Sequence, residues 1–145
     1  MKNIVLPLKQ HVGGPCQVIV AEGEHVQRGQ LIAVPNGLGA NIHASYSGTI
    51  TKVTTTDVHL DADDVQDFTK YVPIPECQTK LEAIAAAGVV GAGGAGFPTA
   101  VKLKTEIPDG VFIANAAECE PLLAHNIHQV ETQAAQLVRG IKYCM

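Results

Sequence analysis

Glu22-Gly23-Glu24-His25-Val26-Gln27-Arg28-Gly29-Gln30-Leu31-Ile32, followed after a short interval by Ile42-His43-Ala44-Ser45-Tyr46-Ser47-Gly48-Thr49-Ile50, is the stretch on which the fold of this chain turns. Around it, the β-prone runs Gln17 to Val20, Gln30 to Val34 and Ser47 to Val53 are separated by Gly13-Gly14-Pro15, Glu22-Gly23, Arg28-Gly29 and Pro35-Asn36-Gly37. Glycine and proline at such intervals cut a chain into short strands joined by tight turns. Up to about Tyr71 the sequence therefore predicts a small all-β module.

The same stretch resembles the barrel-sandwich hybrid of biotinyl and lipoyl domains. The resemblance implies that Gly23 makes a turn, Val26 points inward, Gly29 turns again and the strand from Gly48 returns across the sandwich. A carrier of that kind needs an exposed Lys at a hairpin tip, flanked by small or Met residues. The corresponding stretch here, Gly37-Leu38-Gly39-Ala40-Asn41, has none. The module is accordingly read as a docking or structural scaffold.

Composition narrows the functional classes. The chain has 145 residues, 46% of them apolar, enough for a core and against disorder, and its length allows one ordinary domain or two small ones. With 10 Lys plus Arg against 14 Asp plus Glu it carries a net charge of -4 and no clustered basic charge to follow a phosphate backbone, which argues against nucleic acid as a partner. Leu81 to Gly96 is the most continuous apolar stretch, but it is mostly Ala, Gly and Val and contains Glu82, so direct membrane insertion is not expected. Met1 to Leu8 lacks a signal-peptide pattern, and the expected compartment is the cytoplasm. Cys16, Cys77, Cys119 and Cys144 are too widely spaced to close a metal or cluster site from one loop, and are expected as reduced thiols.

Asp57, Asp61, Asp63, Asp64 and Asp67, followed by Pro73-Ile74-Pro75, predict a solvated linker or surface crossing near 57 to 76. The acidic run lacks the regular spacing and terminal Glu of a dedicated Ca²⁺ loop. Beyond it the pattern changes. Gln78 to Ala87 is Ala-rich and helix-prone and ends at Gly88. Val111 to Ala114 suits a buried parallel strand. Leu123, Ile127, Val130, Ala134, Leu137 and Ile141 recur along one face of a long helix. The fold class expected is α+β: a small all-β barrel-sandwich hybrid over 1–70, then the beginning of an α/β domain over 71–145. One strand cannot build a sheet, so the 145 residues read as the front end of a longer protein or one piece of a split one.

Gly91-Ala92-Gly93-Gly94-Ala95-Gly96-Phe97-Pro98-Thr99 removes side chains where a backbone must approach a ligand or adopt positive φ, and its N–H groups can cradle a phosphate. The ordinary dinucleotide fingerprint would place a strand before the glycines and a helix after them, so a structural turn packing two helices competes with this reading. Asn115-Ala116-Ala117-Glu118-Cys119-Glu120-Pro121, directly after the expected strand, favours the ligand: Asn115 can bond a flavin or ribose group, and the two carboxylates can accept ribose hydroxyls or a nicotinamide amide. The competing role for Glu118 and Glu120 is as a charge pair at a helix N-terminus. Lys102, between the clusters, can meet a phosphate.

These residues together resemble the flavin- and NADH-binding subunit of complex I and its relative, the RnfC component of the Rnf ferredoxin:NAD oxidoreductase. Gly91 to Lys102 and Asn115 to Pro121 carry the match, and Leu8 to Pro15 with Gly39 to Ser45 look like the N-terminal domain peculiar to the Rnf type. Within that group Pro35 to His43 and Glu120 to Asn126 look most like the proline reductase-associated electron transfer protein of amino-acid-fermenting anaerobes. The resemblance implies NADH oxidation at FMN and electrons passed onward to Rnf subunits or an amino-acid reductase, with a location in the cytoplasm or peripheral to a membrane complex. It maps the glycine loop onto Gly91, Gly93, Gly94 and Gly96, the aromatic beside the nucleotide onto Phe97, and the flavin-side polar groups onto Lys102, Asn115, Glu118 and Glu120. Ala117 stands where the complex I proteins commonly carry Asp. The ubiquitin-like segment and the cysteine motifs for iron-sulfur clusters are absent from these residues, so the piece is not expected to be active alone, and its apolar helix face is expected to drive self-association.

His125 and His128 lack a third ligand at suitable spacing. Cys119, between two glutamates, is a poor nucleophile because like charge disfavours its thiolate. His11 and His43 match the family pattern without a chemical partner visible in the sequence.

Overall fold

The computed structural model describes residues 2–92 and 94–145. The first compact unit runs to Lys104 and the second from Thr105 to Met145. In the first, β1 (Lys2–Pro7), β7 (Asp57–Ala62), β6 (Gly48–Val53) and β3 (His25–Val26) form an antiparallel sheet in the order β1-β7-β6-β3. A second antiparallel sheet has the order β2 (Gln17–Val18), β4 (Leu31–Val34), β5 (Ile42–His43). Strands this short bury little singly, so both sheets turn their alternate residues onto one core: Val26, Ile32, Ile42, Ile50, Val58 and Leu60, with Leu8, Cys16, Ala33 and Ala44. Each such aliphatic side chain stabilises the fold by roughly 1.5–3 kcal/mol when fully buried.

The turns implied by the carrier-domain resemblance are present. Gly23 and Gly29 take φ of +83° and +84°, and Val26 is fully buried between them. Gly48 is buried where β6 runs so close to β7 that a Cβ would strike the Asp61 carbonyl and lie 2.8 Å from Ala62 Cα.

The expected linker over 57 to 76 is corrected in its first part. Residues 57–62 are β7, the strand between β1 and β6, with Val58, Leu60 and Ala62 buried. The aspartates mislead because a half-buried strand alternates: Asp57, His59 and Asp61 occupy the face opposite the core residues, so an acidic composition coexists with a period-2 apolar set. Residues beyond β7 fold back on the barrel. Gln66 and Ser47 exchange side-chain and backbone hydrogen bonds, Arg28 Nη1 donates to the Phe68 carbonyl at 2.9 Å, and the Val72 N–H donates to the Arg28 carbonyl at 2.8 Å.

Helix α1 (Lys80–Ala86) begins at a capping box: Thr79 Oγ1 accepts the Glu82 N–H, and the Glu82 carboxylate accepts the Thr79 N–H. It ends at Gly88, whose φ of +67° suits the left-handed stop. Helix α2 (Thr99–Leu103) follows the glycine loop. In the second unit α3 (His125–Cys144) is kinked at Gln133, and its stripe is largely exposed, including Ile127, Leu137 and Val138. Gly140, expected as the nearest stop signal, lies inside it.

The parallel strand expected at 111–114 is not formed. Val111 and Ile113 are 79% and 78% exposed, and no strand pairs with them among the described residues. An apolar run becomes a buried strand only where neighbours supply the ladder and cover both faces.

Candidate functional site

The glycine loop is a closed turn standing on the barrel. Val90 and Pro98 form an isolated antiparallel bridge, the Gly91 N–H donates to the Phe97 carbonyl at 2.9 Å, and the Thr99 N–H donates to the Val89 carbonyl at 2.9 Å. Its base is buried and its tip is free. Pro98 is fully buried, and Gly96, at φ +60°, lies so close to the barrel that a Cβ would sit 3.3 Å from the Gln10 carbonyl oxygen and 3.4 Å from His11 Cα. Gly94, also at φ +60°, is exposed, and a Cβ there would meet nothing within 4 Å. Gly93 lies outside the described residues.

Phe97 and Lys102 belong to the same face of the loop, the Lys102 ammonium standing 5.9 Å from the centre of the Phe97 ring. The structure thus brings together, of the sequence-derived candidates, Gly91, Gly94, Gly96, Phe97 and Lys102: an exposed backbone turn with an aromatic and a cation at its foot.

Asn115, Glu118 and Glu120 belong to the second unit. Asn115 Oδ1 accepts the Ala117 N–H at 2.9 Å, which folds the segment into an Asx turn. Glu118 is committed to α3: one oxygen accepts the N–H groups of Asn126 and Ile127 at 2.7 and 3.3 Å, the other accepts Asn126 Nδ2 at 3.0 Å and lies 3.4 Å from His125 Nδ1. It does from a distance what a capping side chain does, answering orphan N–H groups and the positive helix end. The exposed Glu120 side chain has no hydrogen-bond partner among the described residues. No group of three or more His, Cys, Asp or Glu there is placed to hold a metal ion.

His11 and His43, which have no partner visible in the sequence, have them in the fold. His11 is 6% exposed; its Nδ1 lies 3.0 Å from the Val12 carbonyl, and its Nε2 lies 3.1 Å from the Ala40 nitrogen and 3.0 Å from the Ala40 oxygen. The Cys16 thiol donates to that oxygen at 3.4 Å, and burial raises the thiol's pKa. His43 has a pKa lowered by desolvation, opposed by a hydrogen bond to the Ala86 backbone. Asn41 Nδ2 donates to the Ala86 carbonyl at 3.2 Å, and a Cβ on Gly88 would strike the Asn41 carbonyl. The hairpin tip that would carry the cofactor lysine in a carrier domain is therefore covered by α1 and the glycine loop. The local sequence holds no sign of this, because His11 and Ala40 are 29 residues apart.

Residues 1–72 match the RnfC barrel sandwich hybrid domain, and residues 84–145 match the Nuo51 FMN-binding domain. Fold and matches define the class: a barrel-sandwich hybrid followed by the start of an FMN-binding domain. The RnfC-type component of the ion-translocating oxidoreductase complex of Pseudomonas aeruginosa is 33% identical over 97% of this chain and 20% of its own length. The corresponding component of the Na(+)-translocating ferredoxin:NAD(+) oxidoreductase complex of Acetobacterium woodii is 33% identical over 98% of this chain and 36% of its own. The proton-translocating counterpart from Clostridium ljungdahlii is 32% identical over 99% of this chain and 35% of its own. The chain belongs to the RnfC-like family, and spans from a fifth to just over a third of the length of these relatives.

Proposed function

We propose that this chain is the N-terminal portion of an NADH-oxidising, FMN-dependent electron-transfer protein of the RnfC type, with domains over 1–70 and 71–145. The observation that carries the reading is the exposed Gly94 turn, free of any neighbour and flanked by Phe97 and Lys102, within a segment matching an FMN-binding domain. The residues present suit an anionic, planar ligand. Backbone N–H groups of Gly91, Gly93 and Gly94 would approach phosphate, Phe97 would flank a ring, and Lys102 would answer the negative charge. Asn115 and Glu120 would bond ribose hydroxyls or the nicotinamide amide, while Glu118, by holding the start of α3, keeps their segment in place. A bound FMN supplies two-electron acceptance and one-electron release, chemistry that no side chain here has.

Iron-sulfur or reductase partners would take the electrons, the clusters being carried by sequence beyond these residues. Among the described residues no helix is long and apolar enough to cross a membrane, which fits a peripheral subunit on the cytoplasmic side. The likeness of Pro35 to His43 and Glu120 to Asn126 to the proline reductase-associated protein supports an amino-acid reductase as the particular partner.

Two substitutions in the complete protein test the reading. Gly94→Val strains a left-handed turn and fills the ligand's approach, and is expected to abolish FMN or NADH binding with the barrel intact. Glu120→Gln keeps the shape and removes a charged acceptor, and is expected to weaken NADH by about 1–3 kcal/mol. Unchanged titrations and unchanged NADH-dependent reduction of an artificial acceptor in both variants would leave the chain a docking module instead.

A further inference from the structure

The glycine loop and α1 rest on the barrel at two places: Gly96 on the backbone of Gln10 and His11, and Gly88 on the Asn41 carbonyl. These supports come from different parts of the barrel, the segment before β2 and the hairpin tip before β5. The His11 ring joins them. A neutral ring protonated on Nδ1 donates to the Val12 carbonyl and accepts the Ala40 N–H on Nε2, and the ring lies against Gly39, where a Cβ would be 2.6 Å from its Cε1.

We propose that His11 is a positioning residue for the glycine loop: by tying segment 10–12 to the tip at 39–41 it holds the two supports at the separation that sets the Gly94 turn for a nucleotide. The barrel then acts as one wall of the nucleotide site. This rests on the nucleotide-binding reading of the loop. A buried N–H without an acceptor is costly, so a substitution that deprives Ala40 of its partner shifts the tip, and with it the loop.

The test compares His11→Leu, which fills similar volume without an acceptor, with His11→Gln, whose Oε1 can again receive the Ala40 N–H. In the 145-residue chain, amide hydrogen exchange is followed at Gly91 and Thr99, which close the loop, and at Ile50, whose N–H donates to the Glu24 carbonyl within the barrel. His11→Leu is expected to speed exchange at Gly91 and Thr99 about tenfold while Ile50 keeps its protection, with His11→Gln near the parent. In the complete protein the same Leu variant is expected to weaken NADH or FMN roughly tenfold by direct titration, with Gln restoring affinity. Unchanged exchange at Gly91 and Thr99 overturns the proposal whatever the affinity. Faster exchange, with affinity unchanged in both His11→Leu and Gly94→Val, instead overturns the nucleotide reading and the proposal with it. Where His11→Leu fails to fold, Asn41→Ala removes only the hydrogen bond to Ala86, and unchanged loop exchange in that variant overturns the proposal equally.

Discussion

His43 stands at the edge of β5 with its ring drawn out of water toward the end of α1, and desolvation lowers its pKa below the ordinary 6.5 despite the hydrogen bond to Ala86. The folded state therefore holds it neutral where the unfolded chain would already be protonated. Its contribution is fully present above 6.5 and is lost as the pH falls from there through the lowered folded-state value. Urea unfolding followed from neutral to mildly acidic pH is expected to show stability declining over that window, with a shallower slope in His43→Gln. Equal slopes in the two proteins would show that the ring is protonated as readily folded as unfolded. The difference between the two isolates His43 from His25, which faces Asp63 at 3.1 Å.

At the scale of elements, glycines with similar sequence neighbourhoods have unlike roles. Gly48 is the point where β6 approaches β7, and Gly48→Ala places a methyl against the Asp61 carbonyl and Ala62 Cα, at an expected cost of about 1–3 kcal/mol. Gly14 is exposed, with no positive φ and nothing within 4 Å of an added Cβ, and Gly14→Ala is expected to stay within about 0.5 kcal/mol of the parent. Chemical denaturation of the two variants checks the contrast, and equal stabilities would contradict the close crossing. The same distinction separates the loop glycines: Gly96 is pressed on the barrel, whereas Gly94 has open space above it. Lys102 stands 5.9 Å from the Phe97 ring because one turn of α2 brings the position after the proline round to the aromatic.

For the whole molecule, every residue of the buried cluster lies between Leu8 and Leu60, so the barrel has its own core. The helix of the second unit instead exposes Ile127, Leu137 and Val138. Segment 1–72 is expected to give a dispersed amide spectrum and to remain monomeric in sedimentation, whereas the 145-residue chain self-associates through that apolar face. A collapsed spectrum from the segment would make the later helices part of the barrel's folding. A strictly monomeric 145-residue chain would mean that the stripe needs no cover.

Turn chemistry and periodicity made several features readable from the residues alone: the barrel turns at Gly23 and Gly29, the inward Val26, the helix stop at Gly88 and the family to which the chain belongs. These are legible because each depends on φ, on a short spacing, or on a quoted motif. The aspartates hid β7, whose burial depends on strands far away in sequence, and the apolar run at 111–114 promised a strand that no neighbour completes. Glu118 could be read as a ligand group or a helix partner, and only the chain's return at Asn126 decided that its carboxylate holds α3. The partners of His11 are the sharpest case, since hydrogen bonding to Ala40 and packing under Gly96 come from segments that only folding brings together. Local conformation is a property of neighbouring residues and could be read in order along the chain. What a buried polar group touches is set by long-range packing, and that the tertiary structure alone decided.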